Sequence, residues 1–305
     1  MTKINLLLIT VVFIFSCTSK QKNYEEELAN LHTDREWGKI IDFAQNNLLN
    51  TKGELFILAD AYFQNDDHES SIPICNRILK IDSTHYYTML LLANNYLEQK
   101  KYSKAEKYYR RVIDLQPNYA RAYLNLGYLY ERRDNKELAI NNYIIAIEIF
   151  ASNDFWEEVL LYSNHIISID SMNIEAHKFL AAAYRQKKDY DSAIHSLIKV
   201  LTLTYKGEGG KYTVEEMKSF IDTQVLIGNL FYHNREYEKA LDILEPTIDV
   251  EYAKLPYTSK LLIYCNISAC YNKLENMEKH LEYLNLAKEI DEERTMNYLN
   301  ELLNE

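Results

Sequence analysis

The feature that restricts this chain most is a self-similarity with a period of 34 residues. Leu92-Ala93 is followed by Tyr96, Tyr102, Ala105, Tyr109 and Pro117; one period later, Leu126-Gly127 is followed by Tyr130, Ala139, Tyr143 and Ala146. One period earlier, Leu58-Ala59 and Tyr62 keep the same frame, so successive units begin at residues 52, 86 and 120. A repeat this short encodes one supersecondary unit that cannot bury its apolar face alone, and stacking of neighbours is what closes the core. The 305-residue chain has only 7 Gly and 4 Pro to interrupt helices, and Val-Ile-Thr alternation that would seed a sheet is nearly absent. The sequence therefore predicts an all-α chain of long helices and short connectors.

These residues resemble the tetratricopeptide repeat signature, which places small residues at unit positions 8, 20 and 27, an aromatic at 11 and a bulky residue at 24. The resemblance implies a right-handed α-solenoid of helix-turn-helix units. Two helices of a hairpin cross closely only where one presents a small side chain to the other. Position 8 supplies Ala59, Ala93, Gly127, Ala181, Gly228 and Ser268, and position 20 supplies Ser71, Ala105, Ala139, Ala193 and Ala240. Position 11 holds Tyr62, Tyr96, Tyr130, Tyr184, Phe231 and Tyr271, wedges that only a neighbouring unit can cover. Later units start near Ile174, Ile221 and Leu261, so six units span residues 52–292, preceded by a degenerate hairpin over 24–51.

Several departures carry expectations of their own. His280 stands at position 20, and Gln224 and His177 stand at position 4, so the last two units are expected to pack loosely. Pro73 inside a second helix requires that helix to start late, with Ser70 or Ser71 as N-cap. An additional amphipathic helix over 155–170 interrupts the two-helix rhythm. It divides the repeats into sub-arrays 24–153 and 174–291, joined by segment 154–173 as a bend or hinge. Residues 292–305 read as a capping helix with Met296, Leu299, Leu302 and Leu303 on one stripe.

The first residues follow a different logic. Lys3 precedes an apolar run, Ile4 to Phe15, that ends at Ser16-Cys17 and is too short to span a bilayer as a helix. This order resembles the bacterial lipoprotein signal, which implies removal of residues 1–16, lipidation of Cys17 and a tether over 17–23 of about 20 Å when extended. The expected protein is exported and membrane-anchored. Thr18-Ser19 lacks an Asp retention signal, which favours the outer membrane. The net charge of −11, more negative once Lys3 is removed, disfavours nucleic acid and anionic lipid surfaces.

No catalytic or metal-binding constellation stands out. Lys206-Gly207-Glu208-Gly209-Gly210-Lys211-Tyr212 lacks the spacing and the Ser or Thr of a phosphate loop and reads as a flexible insertion. The eight histidines show no paired ligand spacing, and Cys75, Cys265 and Cys270 form no CxxC. No enzyme activity, cofactor or metal is expected. The resemblance does imply a concave groove, lined by positions 2, 5, 9, 12 and 13 of each first helix. Phe56, Phe63, Tyr87, Leu90, Asn94 and Leu97 fall there in the earlier units, with Leu124, Tyr128 and Arg132 next, and Arg185, Asn229 and Tyr232 in the later ones. A protein client is the expected partner, as an extended or helical segment laid on the aromatics with Asn94 bonding its backbone. The alternative is a surface glycan-binding lipoprotein using exposed tyrosines, against which stands the scarcity of tryptophan, Trp37 and Trp156 only.

Overall fold

The computed structural model describes residues 24–207, 210–249 and 257–304. The expected signal segment 1–16, the expected lipidation site Cys17 and the expected tether to residue 23 lie outside the described residues. Among the described residues there is no strand. The chain divides between Ile149 and Phe150 into two compact units. The first contains α1 (24–33), α2 (Trp37–Asn46), α3 (Lys52–Gln64), α4 (His68–Ile81), α5 (Tyr86–Glu98), α6 (Tyr102–Leu115), α7 (Ala120–Arg132) and most of α8 (Lys136–Ser152). The second contains α9 (Trp156–Ile169), α10 (Ile174–Gln186), α11 (Tyr190–Thr204), α12 (Val214–His233), α13 (Tyr237–Leu244), α14 (Pro246–Asp249), α15 (Tyr257–Lys273), α16 (Met277–Ile290) and α17 (Glu292–Asn304). These are the tandem helical hairpins of an α-solenoid; the units starting at 52, 86 and 120 open on first helices where the 34-residue frame puts them, and the later unit expected near Ile174 opens on α10.

The small positions form the seams. Ala59, Ala93 and Ser268 are fully buried, as are Ser71, Ala105, Ala139, Ala193 and Ala240 opposite them. Close approach of positions 8 and 20 is direct at two hairpins. Ser71 Oγ donates to the Ala59 carbonyl at 2.7 Å, and Ser268 Oγ donates to the His280 carbonyl at 3.1 Å. Where position 8 is glycine, however, the nearest neighbour is the bulky position 24. A Cβ on Gly127 would meet the Tyr143 ring at 2.7 Å, and one on Gly228 would meet Leu244 Cγ at 2.6 Å.

Three expectations are corrected. The last units are not loosely packed: one buried cluster there joins Ile221, Val225, Leu244, Ile267, Tyr271 and Ala287, and the out-of-place His280 is accommodated because Ser268 faces it, with the His280 Nδ1 3.0 Å from the Ser268 hydroxyl. The helix containing Pro73 begins at His68, not late: Asp67 is its N-cap and accepts the Ser70 N–H at 3.0 Å, so Pro73 lies within α4 on its exposed side. On α17, Leu299 and Leu302 are buried, but Met296 is 41% exposed and Thr295 is buried in its place. The Leu303 side chain lies outside the described residues.

Turns inside hairpins share one device. Arg35, Asp66, Lys100, Asp134, Lys188, Arg235 and Glu275 each adopt a left-handed φ between 57° and 63°. The following N–H reaches back into the preceding helix, as Asp67 N does to the Tyr62 carbonyl at 2.9 Å. This is a Schellman stop built without glycine. Asp154, between α8 and α9, has the same φ of 60°, and Phe155 N bonds the Phe150 carbonyl at 3.0 Å. The end of α9 at Asp170, in contrast, is extended like the join between hairpins at Asp82. Helix α8 is therefore flanked on both sides by turns of the same left-handed kind. The additional helix α9 belongs to the second unit, where the Phe150 and Tyr162 rings stack at 5.9 Å.

Candidate interaction surface

In the first unit, the first helices α3, α5 and α7 bring their groove positions onto one surface. Tyr87 and Tyr128 are 46% and 43% exposed, Arg132 is exposed, and Phe56, Phe63, Asn94 and Leu124 are half-buried. Leu90 and Leu97 are corrected: at 7% and 4% exposure they belong to the core and cannot be laid against a partner without unpacking α5. The polar centre is a pair of amides. Asn125 Nδ2 donates to Asn94 Oδ1 at 2.9 Å, and the Tyr109 hydroxyl, on an otherwise buried ring, donates to the same oxygen at 2.7 Å. Arg132 donates to the Tyr128 hydroxyl at 2.8 Å and stands 3.9 Å from Glu98.

Around the amides runs a cluster of rings that sequence reasoning only partly found. Phe56 meets His85 edge-on at 5.7 Å, His85 lies 6.0 Å from Tyr87, and Tyr87 lies 6.2 Å from Tyr119 at 88°. His85 and Tyr119 are the residues immediately before α5 and α7, a shared position that signals them in the repeat frame. Because Tyr128 carries the Arg132 guanidinium over its ring and Tyr87 is crowded by Tyr86 at 4.1 Å, no broad flat face is presented. Burial lowers the His85 pKa below the ordinary histidine value, with Lys52 adding to the effect and Asp82 opposing it. The His85 Nδ1 sits 2.7 Å from the Thr88 hydroxyl.

The second unit holds the remaining residues apart. Arg185 is exposed and lines a cavity of about 420 Å³ with Lys178 and Ala182 of α10 and Lys218, Asp222 and Leu226 of α12. Asn229 is half-buried and bonded to Asn266. Tyr232, 5% exposed, is corrected from a groove residue to a core one; its hydroxyl is buried without a hydrogen-bond partner, and burial pushes its pKa up to about 12.

The cavity owes one wall to an unforeseen extension, since α12 starts at Val214, ahead of the frame position Ile221. Thr213 and Glu216 form a capping box there, and Lys206 Nζ reaches Glu216 at 2.7 Å. That lysine and the Thr213 backbone hold the Glu216 carboxyl down at about 2. Lys206 N donates to the Tyr212 hydroxyl at 2.7 Å, so the flanks of the glycine-rich segment are tied to the helix; Glu208 and Gly209 lie outside the described residues.

Burial pushes the thiols of Cys75, Cys265 and Cys270 up to about 12, which makes them poor nucleophiles. Among the described residues, no group of three His, Cys, Asp or Glu could hold a metal ion, and no helix is long and apolar enough to cross a membrane.

Comparison with known proteins agrees with the repeat frame. Tetratricopeptide repeat families match residues 55–85, 90–153, 176–211 and 261–294. Tetratricopeptide repeat protein 37 of Xenopus laevis is 28% identical over 140 residues, which is 44% of this chain and 8% of that protein. The DnaJ protein P58IPK homolog B of Oryza sativa subsp. japonica is 25% identical over 221 residues, 70% of this chain and 41% of that protein. The chain thus spans less than half the length of these curated relatives. Among solved structures, similarity extends to the APC/C hetero-tetramer Cut9-Hcn1, with 16% identity and a TM-score of 0.40 over 90% of this chain and 52% of that one. It extends also to MamA, with 18% identity and a TM-score of 0.30 over 67% of this chain and 93% of that one. With repeats matched in both compact units and over more than half of its residues, the chain belongs to the tetratricopeptide repeat family.

Proposed function

We propose that this chain is a membrane-tethered, non-catalytic adaptor of the bacterial cell envelope that binds a protein client on the first unit. The observation that carries the reading is the surface around Asn94 and Asn125. Exposed Tyr87 and Tyr128 and half-buried Phe56 and Leu124 surround two amides that each retain hydrogen-bonding capacity. Apolar surface of this kind rimmed by polar groups is characteristic of protein-binding sites. The self-packed rings favour a protein over a glycan, because sugar stacking needs an unobstructed aromatic face.

The tether is the lipid carried by Cys17, with the chain exported and held at the outer membrane; its support is the Lys3 to Cys17 pattern. A photo-crosslinking amino acid placed at Tyr128 in cells should capture one recurrent protein, identified by mass spectrometry. Replacing Leu124 by Asp should abolish that adduct; an adduct pattern unchanged by Leu124→Asp refutes the surface. Cys17→Ser should lose both fatty-acid labelling and membrane fractionation; retention of label refutes the anchor.

A further inference from the structure

The chain contains two asparagine pairs at equivalent repeat positions, 9 of one unit and 6 of the next: Asn94 with Asn125, and Asn229 with Asn266. In the second, a tyrosine from a third helix is seated on the pair. Asn266 Nδ2 donates to the Tyr298 hydroxyl at 3.0 Å, Asn229 Nδ2 donates to it at 3.3 Å, and the hydroxyl lies 3.2 Å from Asn266 Oδ1. Tyr298 is on α17, whose Leu299 and Leu302 enter the same core cluster as Val225, Tyr232 and Ala269. The residues that Tyr298 bridges are Asn229, at position 9 of α12 and so on the stripe that the repeat frame assigns to the groove, and Asn266, at position 6 of α15. One amphipathic helix therefore already lies on such a surface, presenting a tyrosine with leucines one and four residues later.

The first pair differs in its occupant, not in its layout. Asn125 Nδ2 and the Tyr109 hydroxyl both donate to Asn94 Oδ1, while the amide N–H groups of Asn94 and the amide carbonyl of Asn125 have no partner among the described residues. Half-buried polar groups of this kind favour a ligand that bonds them while covering the adjoining apolar surface. The rim is cationic: Arg121 is exposed and has no ion pair among the described residues, and Arg132 reaches Glu98 only at 3.9 Å. The helix seated on the second pair is acidic, with Glu292, Glu293 and Glu301.

We propose that the Asn94–Asn125 pair receives an acidic amphipathic α-helix of a protein partner, presenting a tyrosine and leucines at the spacing of Tyr298, Leu299 and Leu302. This rests on the interaction reading above and narrows it from any peptide to a helix of stated chemistry.

The test uses a fluorescent synthetic peptide with the sequence of residues 290–305, titrated against the full chain by anisotropy. In the full chain the second pair is filled by its own tethered helix at high effective concentration, so added peptide reports the first. Saturable binding is expected, weakened on the order of tenfold by Asn125→Ala or Arg121→Glu in the chain and by Tyr298→Ala in the peptide. Asn229→Ala in the chain should not weaken it. Asn125→Ala leaves the buried Tyr109 hydroxyl bonded to Asn94, and Arg121 is exposed, so both variants should keep the parent's circular dichroism. Absence of binding, binding indifferent to both chain variants, or loss through Asn229→Ala alone overturns the proposal. A client captured at Tyr128 by a chain that ignores the peptide would leave the interaction reading standing and reject the helix.

Discussion

Gly127 and Tyr143 sit so close that the glycine is a steric necessity: a Cβ at residue 127 would lie 2.7 Å from Tyr143 Cε1 and 2.8 Å from Cδ1. The ring has little room to retreat, being 3% exposed with its hydroxyl bonded to Glu131 at 2.8 Å. Gly127→Leu should therefore lower unfolding free energy by about 1 to 3 kcal/mol through overpacking. Urea denaturation followed by circular dichroism measures this, and a midpoint equal to the parent's would show that the seam yields freely.

Gly53, on α3, presents the opposite case. A Cβ there meets nothing within 4 Å, and its φ is not left-handed. Gly53→Ala should stabilise the chain by about 0.4 to 1 kcal/mol, because alanine restricts the unfolded chain and strains nothing in the helix. A melting temperature that falls instead would contradict the open space at this position.

Ser268 and His280 exchange contacts where other hairpins place two small residues. Ser268→Ala alone removes the hydrogen bonds to the imidazole and to the His280 carbonyl, costing about 1 to 2 kcal/mol. Ser268→Ala with His280→Ala restores the small pair found at Ala93 and Ala105. The double variant should lose less than the sum of the single losses. A double-mutant cycle with strict additivity would mean that the two side chains are energetically independent.

His85 gives the first unit a pH dependence. Its pKa is depressed in the folded chain by burial, so below the ordinary value of 6.5 the unfolded chain takes up the proton first. This contribution to stability is intact above that value and declines as pH falls through it toward the folded pKa. Urea midpoints for the parent should drop from pH 8 to pH 5.5 by more than those of His85→Gln. Identical slopes would exclude His85 as the titrating group.

Much of the architecture was legible because small and aromatic residues at fixed offsets report contacts made inside one hairpin. Ala59, Ala93 and Ala181 announce their seams without knowledge of distant residues. Leu90, Leu97 and Tyr232 were misplaced for the complementary reason: their burial depends on what neighbouring helices cover, which a position number does not state. Asp67 was missed as an N-cap because Pro73 drew the boundary later, although Asp67 accepts the Ser70 N–H three residues on. Within the interaction surface, the amide pair was visible as two spaced asparagines. The hydroxyl of Tyr109 beneath it was not, since its pointing toward Asn94 follows from tertiary packing.

The left-handed turn residues leave the fold with an untapped margin. Each non-glycine side chain held at positive φ costs roughly 1 to 2 kcal/mol relative to its relaxed backbone, and the chain accepts this at Lys100 and Lys188 with nothing smaller in their place. Lys100→Gly should recover part of that penalty and raise the melting temperature. Such exchanges alter neither a buried side chain nor the exposed tyrosines, so stability is adjustable connector by connector while the interaction surface stays as it is.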